Sequence, residues 1–392
     1  MMLARRLKAL PPYLFAALDK KKEEAARRGI DIVDLSVGDP DIPTPPHVVE
    51  ACCEALKDPR NHRYPSYEGM LAFREAVASW YERRKGVSLD AEREVLTLIG
   101  SKEGIAHAAL AFLDEGDIAL VPDPAYPVYR NATLLAGAKP FTVPLREEND
   151  FKPDLWSIPE DVAAKAKVLF LNYPNNPTTA TASEDFFREV VDFAKEHEII
   201  VFHDNPYSEL TYDGYFAPSF LAVDGAIEIG IEFNSLSKTY NMTGWRIGFA
   251  VGNAEVLEGL KKMKTNIDSG TFQAVQVAAI AALTGPQDCI RTATETYRRR
   301  RDILVECLNV AGIYAKKPKA TFYVWARVPK GFSSVDFAML LLEKARILAT
   351  PGVGFGEYGE GFLRFSLCES ENRIKIACER LEKTLSGKLK QR

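Results

Sequence analysis

The sequence predicts an α/β fold, a large unit on a mostly parallel sheet flanked by helices, followed by a smaller α+β unit. Three observations carry that expectation. From about residue 46, short apolar runs alternate with amphipathic helical segments. The runs lack the in–out alternation of half-exposed strands, as strands buried on both faces do. Past about residue 285 the alternation gives way to a long charged helical segment and a strand–helix–strand–helix tail.

Taken in order, VVEACCEALK and GMLAFREAVASWYERRKG place apolar residues three and four apart and read as helices. EVLTLI, DIALVP, KVLFLNYP, IIVFHD, GIEFNSLS and RIGFAVG are β-branched-rich strand candidates. IAHAALAFL, YRNATLLAG and EDFFREVVDFAKEH are helical segments separating several of them. Strands alternating with helices imply parallel pairing. In the tail, IRTATETYRRRRDILVECLNVAG is a helix, ATFYVWARV a strand, VDFAMLLLEKA a helix and GFLRFSL a strand before a closing helix. The expected division is a large domain over 46–284 and a small one made of 1–45 with 285–392, with a cleft between them.

The bulk numbers narrow the function classes. The chain has 392 residues, 46% hydrophobic and 27% charged, with a formal net charge of -4, so binding to polyanions such as nucleic acid is not expected. KKK at 20–22 and RRRR at 298–301 read as solvated helix faces. The N-terminal segment lacks the apolar core and cleavage site of a signal peptide. AVQVAAIAAL at 274–283 is too short to span a bilayer. No membrane partner is therefore expected, and six scattered cysteines without a CxxC point to a reduced, cytoplasmic protein. The five histidines show no metal-ligand spacing, so no metal is expected.

Candidate chemistry falls at strand ends, where ligands sit in open α/β sheets. EVLTLI runs into Gly100-Ser101-Lys102 and a helix, either a plain serine cap or a phosphate cradle. KVLFLNYP leads to a turn containing Asn176. IIVFHD ends in Asp204, with Tyr207 close behind; an acid at the end of so apolar a strand wants a cationic partner. GIEFNSLSKTYNMTGWRIG sets Lys238 among Ser235 and Ser237, with Arg246 downstream. A reactive lysine, an acid, a phenol, an asparagine and a phosphate site are the set that pyridoxal 5′-phosphate (PLP) requires. Gly354-Phe355-Gly356-Glu357-Tyr358-Gly359 fits G-x-G-x-x-G, but a strand follows it where a dinucleotide site would open a helix, so it reads as a turn.

SLSKTYNMTGWRIG, YPNNPT, HDNPY, RYPSYEG and FLRFSL occur in the order and spacing of one family, and the whole chain resembles the fold-type I, class I/II aminotransferases. The resemblance implies the PLP-dependent transferase fold with a mostly parallel seven-stranded sheet, a homodimer with shared active sites, and transfer of an amino group between an amino acid and a 2-oxo acid. Lys238 resembles the lysine that holds PLP and shuttles the proton. Asp204 resembles the partner of the ring nitrogen, Tyr207 and Asn176 donors to the phenolic oxygen, and Tyr126 the residue stacked on the ring. Ser235, Ser237, Arg246 and the backbone of Ser101–Lys102 resemble the phosphate shell, and Tyr64 a tyrosine reaching the phosphate of the other subunit. Arg364 resembles the arginine that grips the substrate α-carboxylate, with the Gly38 backbone helping.

Many relatives read NPTG where this chain has Asn176-Pro177-Thr178-Thr179, so the turn should differ locally. PPYLFAAL, VGDPDIPTP, GSKEGI and TNIDSGTFQAVQ are similar to LL-diaminopimelate aminotransferases. That similarity implies Tyr13 and Lys102 near substrate, with Glu68, Tyr67 and Gln273 as helpers and 2-oxoglutarate as acceptor. An aspartate, alanine or aromatic aminotransferase, and a PLP-dependent lyase, are the alternatives. A non-catalytic effector-binding domain would bring a basic helix-turn-helix segment, for which the N-terminus has no room.

Overall fold

The computed structural model describes residues 3–11 and 16–385. The main sheet holds β1 (Val95–Leu98), β2 (Ile118–Asp123), β3 (Lys139–Pro144), β4 (Ala166–Leu171), β5 (Ile200–Asp204), β6 (Gly230–Ser235) and β7 (Gly248–Gly252). Their spatial order is β1-β7-β6-β5-β4-β2-β3. Strands β2 to β6 pair in parallel. Only β7 runs against its neighbours β6 and β1. The carboxyl ends of six strands therefore share one edge with the amino end of β7, and that geometry assembles the site.

Alternate residues of the central strands feed two apolar layers. Leu169, Leu171 and Val201 pack on one side with Trp80, Phe187 and Phe249. Val168, Phe170 and Phe202 pack on the other with Tyr129 and Phe233. Both faces are buried, which is why the sequence shows continuous apolar runs rather than alternation. Of the seven strands implied by the resemblance, β3 is not among the runs that periodicity picks out. It carries Pro140 and Pro144, and as an edge strand it tolerates residues that cannot donate to a neighbour.

The second sheet is antiparallel, with β8 (Tyr323–Arg327), β9 (Thr350–Pro351) and β10 (Phe362–Ser366) in the order β9-β10-β8. Helices Asp288–Val310 and Glu371–Leu385 cover it. Val33 and Leu35 enter the same apolar cluster, and Val33–Asp34 pairs in parallel with Ile347–Leu348. The glycine-rich stretch before β10 is a pair of tight turns, as its sequence context implies.

The reading of RRRR as a solvated face needs correction. Arg298 and Arg299 lie on the surface beside Glu295. Arg300 is buried and donates to Asp41 (2.6 and 2.8 Å) and to the Leu367 carbonyl (3.0 Å). Arg301 is fully buried, paired with Asp213 at 2.7 Å. Four consecutive positions point in directions spread nearly all the way around a helix, so on a helix with one buried side part of such a run faces inward; the acids that neutralise it come from distant loops.

Candidate active site

Asp204 closes β5, and its carboxylate is buried beneath the shared edge. Tyr129 donates its hydroxyl to Oδ2 at 2.7 Å, whereas Oδ1 is buried with no hydrogen-bond partner among the described residues. Burial pushes the pKa of this carboxyl up to about 6, against the opposing pull of Tyr129, His203 and Lys238. A buried carboxylate with one orphaned oxygen is a seat for a cationic N–H. That is what a protonated pyridine nitrogen offers.

Lys238 sits on the single helical turn after β6, which Ser235 caps by accepting from the Ser237 N–H at 3.2 Å. Its Nζ donates to the Gly38 carbonyl at 3.0 Å and lies 5.5 Å from the Phe322 ring. Burial lowers its pKa from the ordinary lysine value, which favours the neutral, nucleophilic amine. A side chain on Gly38 would collide with the Tyr323 hydroxyl, so glycine is required there for the close approach.

The residues expected to cradle a phosphate lie where β1 meets β7. Helix Ser101–Phe112 begins directly after Gly100 (φ +85°), and its first N–H groups have no intrahelical acceptors. Arg246, preceding β7, donates to the Thr243 carbonyl at 2.7 Å and reaches the Ser237 hydroxyl and the Ile99 carbonyl at 3.5 Å. A Cβ on Gly100 would run into that guanidinium. Ser101, Ser235, Ser237 and Arg246 thus converge, and their donors fit a phosphate. Lys102 is exposed, its ammonium 5.8 Å from the Tyr126 ring. Tyr126 packs edge-on to Tyr129, and burial, then Asp204, raises its pKa to about 12, keeping it neutral.

Arg364 on β10 faces the same space. Its guanidinium donates to Asn176 Oδ1 and to the Ser36 carbonyl, both at 2.7 Å. It lies against the rings of Tyr323 (4.2 Å) and Phe355 (4.6 Å), and its Nε is buried without a partner among the described residues. With Oδ1 engaged, Asn176 keeps its amide N–H₂ to donate. The Tyr207 hydroxyl lies 3.4 Å from that of Tyr323. The Asn172 amide ties the asparagine loop to the sheet by donating to the Asp204 carbonyl at 2.7 Å. Thr179, where many relatives have glycine, has φ +63°, a conformation that strains a β-branched residue.

Comparison with known proteins decides the family. The model of the family described as Aminotransferase class I and II matches residues 30–381. The chain belongs to the class I and II aminotransferases. It is 58% identical to the LL-diaminopimelate aminotransferase of Moorella thermoacetica, over 97% of this chain and 98% of that protein. The enzyme of that name from Aquifex aeolicus is 55% identical, over 96% and 97%. Among solved structures, substrate-bound BacF from Bacillus subtilis superposes with a TM-score of 0.93 at 38% identity, covering 98% of each chain. A probable N-succinyldiaminopimelate aminotransferase from Thermus thermophilus gives 0.90 at 41% identity, covering 95% of this chain and 100% of that one.

Not every expected residue of this aminotransferase joins the cluster. Tyr64 is 88% exposed, and Tyr13 lies outside the described residues. Tyr67 is exposed. Glu68 is paired with Lys261 at 3.0 Å, and the Gln273 amide donates to the Arg60 and Arg63 carbonyls. Conversely, residue types and motifs alone pass over Tyr129, Ser36 and Tyr323. Tyr129 had a signal, standing three residues after Tyr126 at the start of helix Val128–Leu135, where the two rings meet edge-on. His203 is structural, with Nδ1 2.8 Å from the buried Glu232. Glu103, His107 and Asp268 also approach one another within 4.8 Å. The cation there is Lys264, whose Nζ lies 3.1 Å from Glu103 and 2.9 Å from Asp268.

Proposed function

We propose that the chain is a PLP-dependent LL-diaminopimelate aminotransferase that uses 2-oxoglutarate as amino acceptor. It would work in the cytoplasm as a homodimer in which Tyr64 reaches the partner's site. The near-full-length identity of 52–58% to relatives bearing that name supports the substrate. The observation that carries the cofactor is the orphaned Oδ1 of Asp204, in line with the Lys238 amine and the Ser101–Arg246 cradle. The exposure of Tyr64 and the free state of all six cysteines are in keeping with the dimer and the compartment. We place the small domain at 1–45 with 285–392 and the large one at 46–284.

When bound, PLP supplies an electrophilic carbonyl and an electron-withdrawing ring that spreads charge from the substrate α-carbon. The residues of this chain do the rest. Asp204, ionised, would face the ring nitrogen and keep it protonated. Tyr126 would lie against the ring. Tyr207 and Asn176 would donate toward its phenolic oxygen, while Ser101, Ser235, Ser237 and Arg246 would hold the phosphate with the Lys102 backbone. Arg364 and the Gly38 backbone receive the α-carboxylate and orient the substrate. Lys238, its amine favoured in the neutral form by burial, would take the proton from the substrate α-carbon and deliver it, within the same half-reaction, to the cofactor carbon that had carried the carbonyl; the second half-reaction would run that transfer in reverse. Two half-reactions in turn give ping-pong kinetics.

The test is turnover. Purified enzyme given LL-diaminopimelate and 2-oxoglutarate should form glutamate, and Lys238→Ala should form none. Full activity in Lys238→Ala, or glutamate formation only from aspartate, alanine or an aromatic amino acid, would overturn the reading.

A further inference from the structure

The glycine-rich turn Gly352–Gly359 has no part in the chemistry above, yet Gly352, Gly356 and Gly359 are each sterically required. A Cβ on Gly352 would strike the Gly359 carbonyl, and one on Gly359 the Gly352 carbonyl. A Cβ on Gly356 (φ +136°) would strike the carboxylate of Asp123. That carboxylate closes β2 in the other sheet. Its Oδ1 accepts from the Tyr358 N–H at 3.0 Å and its Oδ2 from the Glu357 N–H at 3.2 Å. Close by, the Ala125 N–H donates to the Phe355 carbonyl at 2.8 Å. The Phe355 ring is one of the two that lie against Arg364, and Ala125 directly precedes Tyr126.

We propose that Asp123 is a positioning residue for substrate. Its carboxylate clamps the glycine-rich turn to the end of the main sheet, and the clamp sets Phe355, which in turn fixes the guanidinium of Arg364 for the substrate carboxylate. The turn is thereby a clasp between the two sheets, and Gly356 against Asp123, with Gly352 against Gly359, gives the close approach that the clasp needs. A charged acceptor gripping two backbone N–H groups is a strong tie in a part-buried setting. Misplacing an anchoring group by a fraction of an ångström is enough to weaken the binding it serves.

The inference rests on the assignment of Arg364 to the substrate carboxylate. Holoenzymes carrying Asp123→Asn, Asp123→Ala and Gly356→Ala are compared with wild type for KM and kcat toward 2-oxoglutarate, for cofactor retention and for melting temperature. Asp123→Ala and Gly356→Ala should each raise KM about tenfold, with kcat changed by less than about threefold and the cofactor retained. Asp123→Asn is nearly isosteric and keeps one acceptor oxygen, so it should fall between them and wild type. A purely structural role would lower the melting temperature and leave KM unmoved in the folded holoenzyme. Unchanged KM in Asp123→Asn and in either other variant that folds overturns the proposal, as does a fall in kcat alone. A wild type that turns over another amino acid instead refutes the LL-diaminopimelate assignment, and the KM comparison still decides the clasp.

Discussion

Replacing Asp204 with asparagine should stabilise the cofactor-free protein at neutral pH while impairing catalysis severely. Burial raises the Asp204 pKa from 3.8 to about 6 with one carboxylate oxygen unpaired. At ~1.4 kcal/mol for each tenfold change in proton affinity, the ionised side chain destabilises the empty site by on the order of 3 kcal/mol. The sign follows from proton linkage. Between 3.8 and about 6 the folded state binds the proton that the unfolded chain has released, so stability falls as pH rises through that window. Asparagine has no such charge and can still accept from the Tyr129 hydroxyl. Its advantage should be full above about pH 6 and vanish near pH 4. Urea denaturation of the apoproteins across that range reads it directly. The same change should lower kcat/KM by ~10²–10⁴, because the cationic ring loses a buried counter-charge valued at about 3–5 kcal/mol. An Asp204→Asn apoprotein less stable than wild type at pH 8, or a difference that does not vary with pH, would refute the reasoning.

Three further outcomes are expected. Arg364→Lys gives up the planar donor pair and its place against Tyr323 and Phe355, so kcat/KM should fall ~10²-fold, for a loss of about 2–3 kcal/mol; steady-state kinetics with either substrate will show it, and an unchanged value would remove Arg364 from the carboxylate site. Thr179→Gly relieves a left-handed β-branched residue while keeping the N–H that donates to the Asn175 carbonyl at 3.0 Å, so stability should rise by about 0.5–1 kcal/mol with activity unchanged, as urea titration can check. Mixing Lys238→Ala with Tyr64→Ala subunits should regenerate one intact site in each hybrid dimer and raise activity above either parent; no recovery after verified subunit exchange would rule out the shared site.

The sequence made the strand ends legible because β-branched apolar runs stop abruptly at Ser101, Asn172, Asp204 and Lys238, and a parallel sheet brings such ends to one edge. The resemblance to the family then implied the roles. What stayed hidden depends on packing between distant segments. Ser36 meets Arg364 through a backbone carbonyl, which any residue type would present. Tyr323 reads as one more aromatic in a strand, although its hydroxyl sets the need for Gly38. Prolines masked β3. The two buried arginines look like their exposed neighbours in sequence, because Asp213 and Asp41 lie far from them along the chain. Tyr64 could be placed at a site only by resemblance, since in the single chain its ring faces solvent.

The most direct test of the central claim is a half-reaction. The purified PLP form is mixed with one amino acid at a time, without a 2-oxo acid, and the visible absorbance of the bound cofactor is followed. Its loss with LL-diaminopimelate, and not with aspartate, alanine or phenylalanine, is the expected result. Loss with those three alone, or with none of the four, would contradict it.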